Sequence, residues 1–185
     1  PWLVAGGLHR RYNAVQLTEH SHPEGVELTF VFSGAVRWML ADGSALYHPS
    51  GTLGVIQRDV RHHGDGNVIA PCGLFWLLIA PERLGEKLLL PREAESLRNL
   101  FEGAGNRIVD GHEFLPVALK RLMQLLRAPE TYDFPGRVRM LLHTLLLESA
   151  ASLEQARKRQ ARQRLDTWKM QQIKDALASD LTRRI

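Results

Sequence analysis

The sequence predicts an α+β chain, with a β-rich first part that closes into a sandwich or barrel and a helical part after it. Three observations carry this expectation. Short runs rich in β-branched and aromatic residues, separated by turn residues, fill the chain up to Pro81. Beyond Pro81 the apolar residues recur at helical spacing instead. With 185 residues, 44% of them apolar, the chain can bury a real core as one good-sized domain or two small ones.

The elements follow in order. The run 26–32, VELTFVF, is β-branched and aromatic, and Ser33-Gly34 ends it. Asp42-Gly43 sits between two short apolar runs and predicts a tight hairpin. Residues 52–56, TLGVI, follow a Pro-Ser-Gly turn, and 74–80, LFWLLIA, is apolar on both faces as a buried strand is. Helices are expected at 82–89, at 92–103 with Gly103 as its stop, and at 113–129 with Pro129 at its end. The strongest helical segment is 134–160, whose stripe of Val138, Leu141, Leu142, Leu145 and Leu146 is wider than one helix usually buries against its own domain. It therefore predicts a homodimer packed through Val138, Leu141, Leu142 and Leu145. Residues 157–164, RKRQARQR, read as a basic helix end or linker. Residues 167–181 read as a last amphipathic helix with Met170, Ile173 and Leu177 on one face.

Charge placement matters more than the net +4. Residues 1–81 carry 5 Lys and Arg against 6 Asp and Glu, and residues 82–156 carry 10 against 11. Residues 157–185 carry 9 against 3, so the positive excess lies in the last 29 residues, as expected near a nucleic-acid contact. The one cysteine, Cys72, allows no internal disulfide, which fits a cytoplasmic location. No signal peptide and no apolar run of about 18 residues occurs, so no membrane span is expected. The chain begins without Met, so the start of the protein is expected upstream.

Five of eight histidines fall between His20 and His63. On a strand, His20 and His22 point to one face. Glu27 follows at the start of the next strand, and His62 and His63 come two strands later. Three imidazoles and a carboxylate make a site for a divalent ion, Zn²⁺, Ni²⁺, Mn²⁺ or Fe²⁺. Trp38, His48, His63 and Trp76 are placed to line a small-molecule pocket of mixed aromatic and polar character, although core packing is the commoner role of such tryptophans.

HSHPEGVELTFVFSG has the spacing of the first cupin motif, carried by His20, His22, Glu27 and Gly34. Ala14 stands where that family has an earlier glycine. In the second motif, Gly51 and His62 keep the glycine-to-histidine distance, but Gln57 and Asp59 replace its proline and second glycine. His63 and Asn67 offer another frame, and His62 is the preferred ligand equivalent. With its helical second half, the chain resembles the sensing region of AraC-family transcription regulators. That resemblance implies a cupin-type barrel (a jelly roll) at 1–81 that binds a small-molecule effector. A helical dimerisation and linker segment would span 82–160. A helix-turn-helix DNA-binding domain would open at 161–185, with Ile173, Ala176, Leu177 and Leu181 in its core and its recognition helices beyond Ile185. DNA would be contacted mainly through that later domain, and the chain is not expected to be an enzyme. The alternative is a metal-dependent cupin enzyme, a dioxygenase or isomerase, with the same three histidines and glutamate around Fe²⁺.

Overall fold

The computed structural model describes residues 2–85, 89–127 and 133–182, with side chains described as far as residue 175. Residues Pro1–Leu153 form one compact unit and Glu154–Ile185 a second.

The strands of the first unit are β1 (Leu3–Arg10), β2 (Val15–Gln16), β3 (Val26–Ser33), β4 (Ala35–Leu40), β5 (Ala45–Pro49), β6 (Thr52–Ile56), β7 (His62–Gly64), β8 (Val68–Ile69), β9 (Gly73–Ile79) and β10 (Arg107–Asp110). They make a five-stranded sheet ordered β1-β9-β3-β6-β10, a three-stranded sheet β5-β4-β7 and the pair β2-β8; every pairing is antiparallel. The helices are α1 (Pro91–Glu102), α2 (Leu115–Arg127) and α3 (Phe134–Thr182).

The expected strands at 26–32, 52–56 and 74–80 are present as β3, β6 and β9, and the Asp42-Gly43 hairpin joins β4 to β5. Gly34 turns the chain from β3 into β4 with φ +74°, a conformation that side chains resist. Three expectations need correction. Residues 82–89 do not begin as an α-helix: a single 3₁₀ turn spans Pro81–Arg83, and 86–88 lie outside the described residues. The helical half contains a strand, β10, which pairs with β6 and completes the large sheet. Residues 157–164 are not a helix end, because α3 runs through them without a break. Their Arg, Lys, Gln and Ala residues are good helix formers, and no Gly or Pro interrupts them. Pro129 lies outside the described residues.

The large sheet has two different faces, and strand period explains both. One face, with Leu28, Phe30, Leu53, Phe75 and Leu77, packs on Leu115 and Leu119 of α2 and Leu145 of α3. On the opposite face Val31, Ile56 and Leu74 join Val36 and Trp38 of β4, Ile69 and Cys72 in a second apolar core. Cross-strand register puts Glu27 and Thr29 on this inner face, opposite Ile56 and Gly54 on one side and Leu78 and Trp76 on the other.

Candidate functional site

Local pairing assembles the histidines. His20 and His62 form an isolated two-residue bridge, each backbone N–H donating to the other's carbonyl at 3.0 and 2.9 Å. Their ring centroids are therefore 4.4 Å apart. His22, two residues on, is held by its carbonyl accepting from the Asp59 N–H, and its ring stands 5.1 Å from that of His20. One nitrogen from each of His20, His22 and His62 lies within 4.8 Å of the others. Glu27 reaches the same group from β3: its Oε2 is 3.1 Å from His62 Nε2 and 3.7 Å from His22 Nε2.

The tautomers follow from the hydrogen bonds. A carbonyl only accepts, so His20 donates through Nδ1 to the Thr18 carbonyl at 2.9 Å, and His62 donates through Nδ1 to the Val60 carbonyl at 2.9 Å. Each neutral ring then presents a bare Nε2 lone pair, the arrangement that fixes a metal-ligating histidine. His62 Nε2, His22 Nε2 and Glu27 Oε2 are all buried and, apart from their contacts with one another, have no hydrogen-bond partner among the described residues. Lone pairs facing a carboxylate repel unless a cation, a proton or a metal ion, lies among them. Burial lowers the His62 pKa, but the Glu27 carboxylate and the Val60 carbonyl outweigh it and raise the value above the ordinary one. At His22 burial wins over Glu27, and the pKa falls. The donor set is thus of the right chemistry for a divalent ion: imidazole nitrogens with one carboxylate oxygen.

His48 lies beside this group and behaves differently. Trp38 donates its Nε1–H to His48 Nδ1 at 3.3 Å, Thr29 Oγ1 meets the same nitrogen at 3.3 Å, and His48 Nε2 donates to the Thr52 carbonyl at 3.0 Å. Both nitrogens are used. Burial pushes the His48 pKa down to about 4, against the pull of the Thr52 carbonyl and the Glu27 charge.

The structure therefore brings together all four metal candidates, His20, His22, Glu27 and His62. Of the four pocket candidates, Trp38 and His48 are buried, with the Trp38 N–H spent on His48 and both His48 nitrogens spent within the core. His63 neighbours His62 along β7, so the strand carries it to the other face, where Nδ1 donates to the Gly64 carbonyl at 2.7 Å. Trp76 is half-buried on the inner face, its indole lying over Gly7 of β1. Leu145 is buried in the chain's own core, while Val138, Leu141 and Leu142 are half-buried. Met170 and Ile173 of the second unit are exposed; Ala176, Leu177 and Leu181 lie beyond the described side chains.

Sequence reasoning passed over Thr29 and Thr52, the partners of His48, although period-2 counting from Glu27 puts Thr29 on the same face. It also passed over β1, where two glycines mask the alternation. There His9 lies opposite Leu74 on the inner face, and its Nε2 is buried without a hydrogen bond among the described residues. The ion pair of His112 with Glu148, which ties the segment after β10 to α3, is separated by 36 positions and left no local signal.

No family model matches the chain, and no curated protein matches it in sequence. Among solved structures it is similar to the AraC-like transcriptional activator CuxR, with a TM-score of 0.50 at 16% identity, over 74% of this chain and 47% of that one. The match thus spans about half the length of that activator. Weaker likenesses are to ToxT from Vibrio cholerae O395 (TM-score 0.38, 8% identity, 74% and 52% of the two chains) and to a cupin protein from Bacteroides fragilis (0.32, 18%, 46% and 67%). The chain has an α+β fold of antiparallel sheets and helices, and it shares the fold of the matched part of CuxR. Among the described residues no helix is long and apolar enough to cross a membrane.

Proposed function

We propose that this chain is the sensing and dimerising part of an AraC-type transcription regulator of the bacterial cytoplasm, with a divalent metal ion held by His20, His22, Glu27 and His62. The observation that carries the metal reading is the Nδ1 hydrogen bond of His20 and of His62, which leaves the Nε2 of each free for a ligand, in a cluster of three imidazoles that the Glu27 carboxylate reaches. The regulator reading is supported by the fold shared with CuxR and by the positive excess after residue 156. In this reading 1–81 hold a small-molecule effector against the metal, with Trp76 offering an aromatic face. Residues 82–160 supply the homodimer contact, and 161–185 open the DNA-binding domain. The basic residues contribute salt-sensitive attraction to phosphates, and base recognition belongs to helices C-terminal to this chain.

Elemental analysis of untagged protein, with titration of Zn²⁺, Ni²⁺, Mn²⁺ and Fe²⁺ into the metal-free form, tests the site. One equivalent bound in the wild type and lost in His62→Ala is expected. No binding of any of the four overturns the metal assignment. A band shift of the full gene product on its own upstream region tests the regulator reading. Tight, sequence-selective binding is expected from it, and weak association that fades with salt from residues 1–185 alone. Nanomolar, salt-resistant binding by the 185 residues overturns that division of labour.

The complete set of three histidines and a glutamate also supports a second reading, a metal-dependent dioxygenase or isomerase, since four ligands leave coordination positions open. Oxygen uptake or substrate turnover by the metal-loaded chain would favour it.

A further inference from the structure

The two residues that break the second cupin motif, Gln57 and Asp59, stand beside the histidine cluster, and Gln57 uses what a proline lacks. Proline has no backbone N–H, whereas Gln57 donates one to Asn106 Oδ1 at 2.8 Å. Its side-chain amide donates to the Phe101 carbonyl at 3.0 Å and to the Gly105 carbonyl at 3.4 Å. Gln57 thus holds the corner 103–106 between α1 and β10, and Phe101 anchors that corner fully buried in the core. Asp59, in place of the glycine, keeps a left-handed conformation with φ +60°, which short polar residues tolerate better than others.

The turn 57–60 grips the cluster from the other side. Its first carbonyl, that of Gln57, accepts from the Val60 N–H at 3.3 Å and closes the turn. Within it the Asp59 N–H donates to the His22 carbonyl at 3.2 Å, and the Val60 carbonyl accepts from His62 Nδ1 at 2.9 Å. The second bond decides which nitrogen of His62 is left for a ligand. Ile56, the residue before the turn, lies opposite Glu27 on β3. One short turn therefore holds His22 and His62 and begins on the residue that is bonded to the α1–β10 corner. A displacement of Gln57 at that corner moves the groups that aim both rings.

We infer that Gln57 and Asn106 are positioning residues of the site formed by His20, His22, Glu27 and His62, and that through them ion binding and docking of the α1–β10 corner favour each other. This rests on the metal reading of that site. Each residue acts through the turn 57–60, which carries the bonds to His22 and His62. The partners that orient metal ligands contribute at least about tenfold to affinity. Coupling is reciprocal: if the docked corner tightens the ion about tenfold, the bound ion favours the docked corner by the same factor. Occupancy of the site is thereby felt at α1, the first element of the helical part.

Zn²⁺ titration of the full 185 residues, the absorption spectrum of the Co²⁺-loaded protein and hydrogen exchange at 101–107 test it. Asn106→Leu removes the acceptor of the Gln57 N–H, and Gln57→Leu removes the amide. Each should weaken Zn²⁺ binding about tenfold and alter the Co²⁺ ligand-field bands. Asn106→Asp keeps an acceptor oxygen and should restore both, a rescue that a purely structural role does not predict. Saturating Zn²⁺ should slow exchange at 101–107 in the wild type about tenfold more than in α2, and no more than in α2 in Gln57→Leu. Zn²⁺ binding that leaves wild-type exchange at 101–107 no slower than in α2 overturns the coupling without recourse to any variant. Leucine variants with wild-type Zn²⁺ affinity and Co²⁺ spectrum overturn the positioning role. Both outcomes leave the metal reading intact, whereas a wild type that binds neither Zn²⁺ nor Co²⁺ overturns that reading and this inference together.

Discussion

His48 and His62 are both fully buried at 0% exposure, on the two strands that flank β4 and against the same Trp38 ring system, yet they are held in opposite ways. His48 has a partner for each nitrogen, so it can stay neutral at no cost and stitches β4, β3 and β6 together. His62 has a partner for Nδ1 alone and turns Nε2 toward Glu27. The difference shows that burial does not separate a histidine with both nitrogens satisfied from one with a nitrogen left for a ligand. Counting which nitrogens are satisfied does.

The largest expected effect is on the structural side. His48→Ala removes a buried ring and orphans the Trp38 N–H, which should cost about 4 kcal/mol in chemical denaturation. Metal affinity should change by less than about threefold. A tenfold loss of metal in a still-folded His48 variant would erase the distinction between the two residues.

Acid should expose His48 next. Its folded pKa of about 4 lies below the ordinary 6.5, so the unfolded chain binds the proton more readily between those values. Stability is therefore lost as pH falls from 6.5 toward 4, by up to about 3 kcal/mol at 1.36 kcal/mol per unit. His62 has the opposite sign: its raised pKa gives stability that is present below 6.5 and disappears as pH rises through the folded value. Comparing the pH–stability curves of the metal-free wild type and His48→Gln isolates the first effect. An unchanged acid limb in the variant would mean that other groups cause it.

Metal is the third probe and acts on the other residue. A divalent ion at a hundred times its dissociation constant should stabilise the wild type by about 2.7 kcal/mol. The same concentration should leave His62→Ala unmoved. The readout is the melting temperature with and without ion, and equal shifts in both proteins would place the metal elsewhere.

The smallest effect concerns the space that His48 occupies. A Cβ at Gly54 would press on Thr29 Oγ1 and stand 2.8 Å from His48 Cε1, both confined in the core. Gly54→Ala should cost about 2 kcal/mol through overpacking, without loss of metal. A neutral outcome would show that the Thr29–His48 contact can slide.

Much of this molecule is determined by local sequence. The turn at Gly34, the Asp42-Gly43 hairpin and the strands at 26–33, 52–56 and 73–79 follow from turn chemistry and side-chain period, which act between near neighbours. So does the closeness of His20, His22 and Glu27, because they come from one short run whose spacing is itself the signal. Other features depend on partners far away in the chain. Strand β10 exists because β6 offers it an edge across about fifty residues, and a four-residue run has no period of its own to announce it. Whether His62 or His63 turns inward depends on the register of β7 against β4 and on the bridge to His20, since a one-residue slip exchanges them. The same holds for α3. Its pattern shows that Leu145 and Leu146 want burial, but not whether a sheet of the same chain or a second copy supplies the cover. The outer face of the large sheet supplies it for Leu145, while Met140 and Leu147 stay exposed. Periodicity records how much apolar surface must be hidden, and only the tertiary structure decides what hides it.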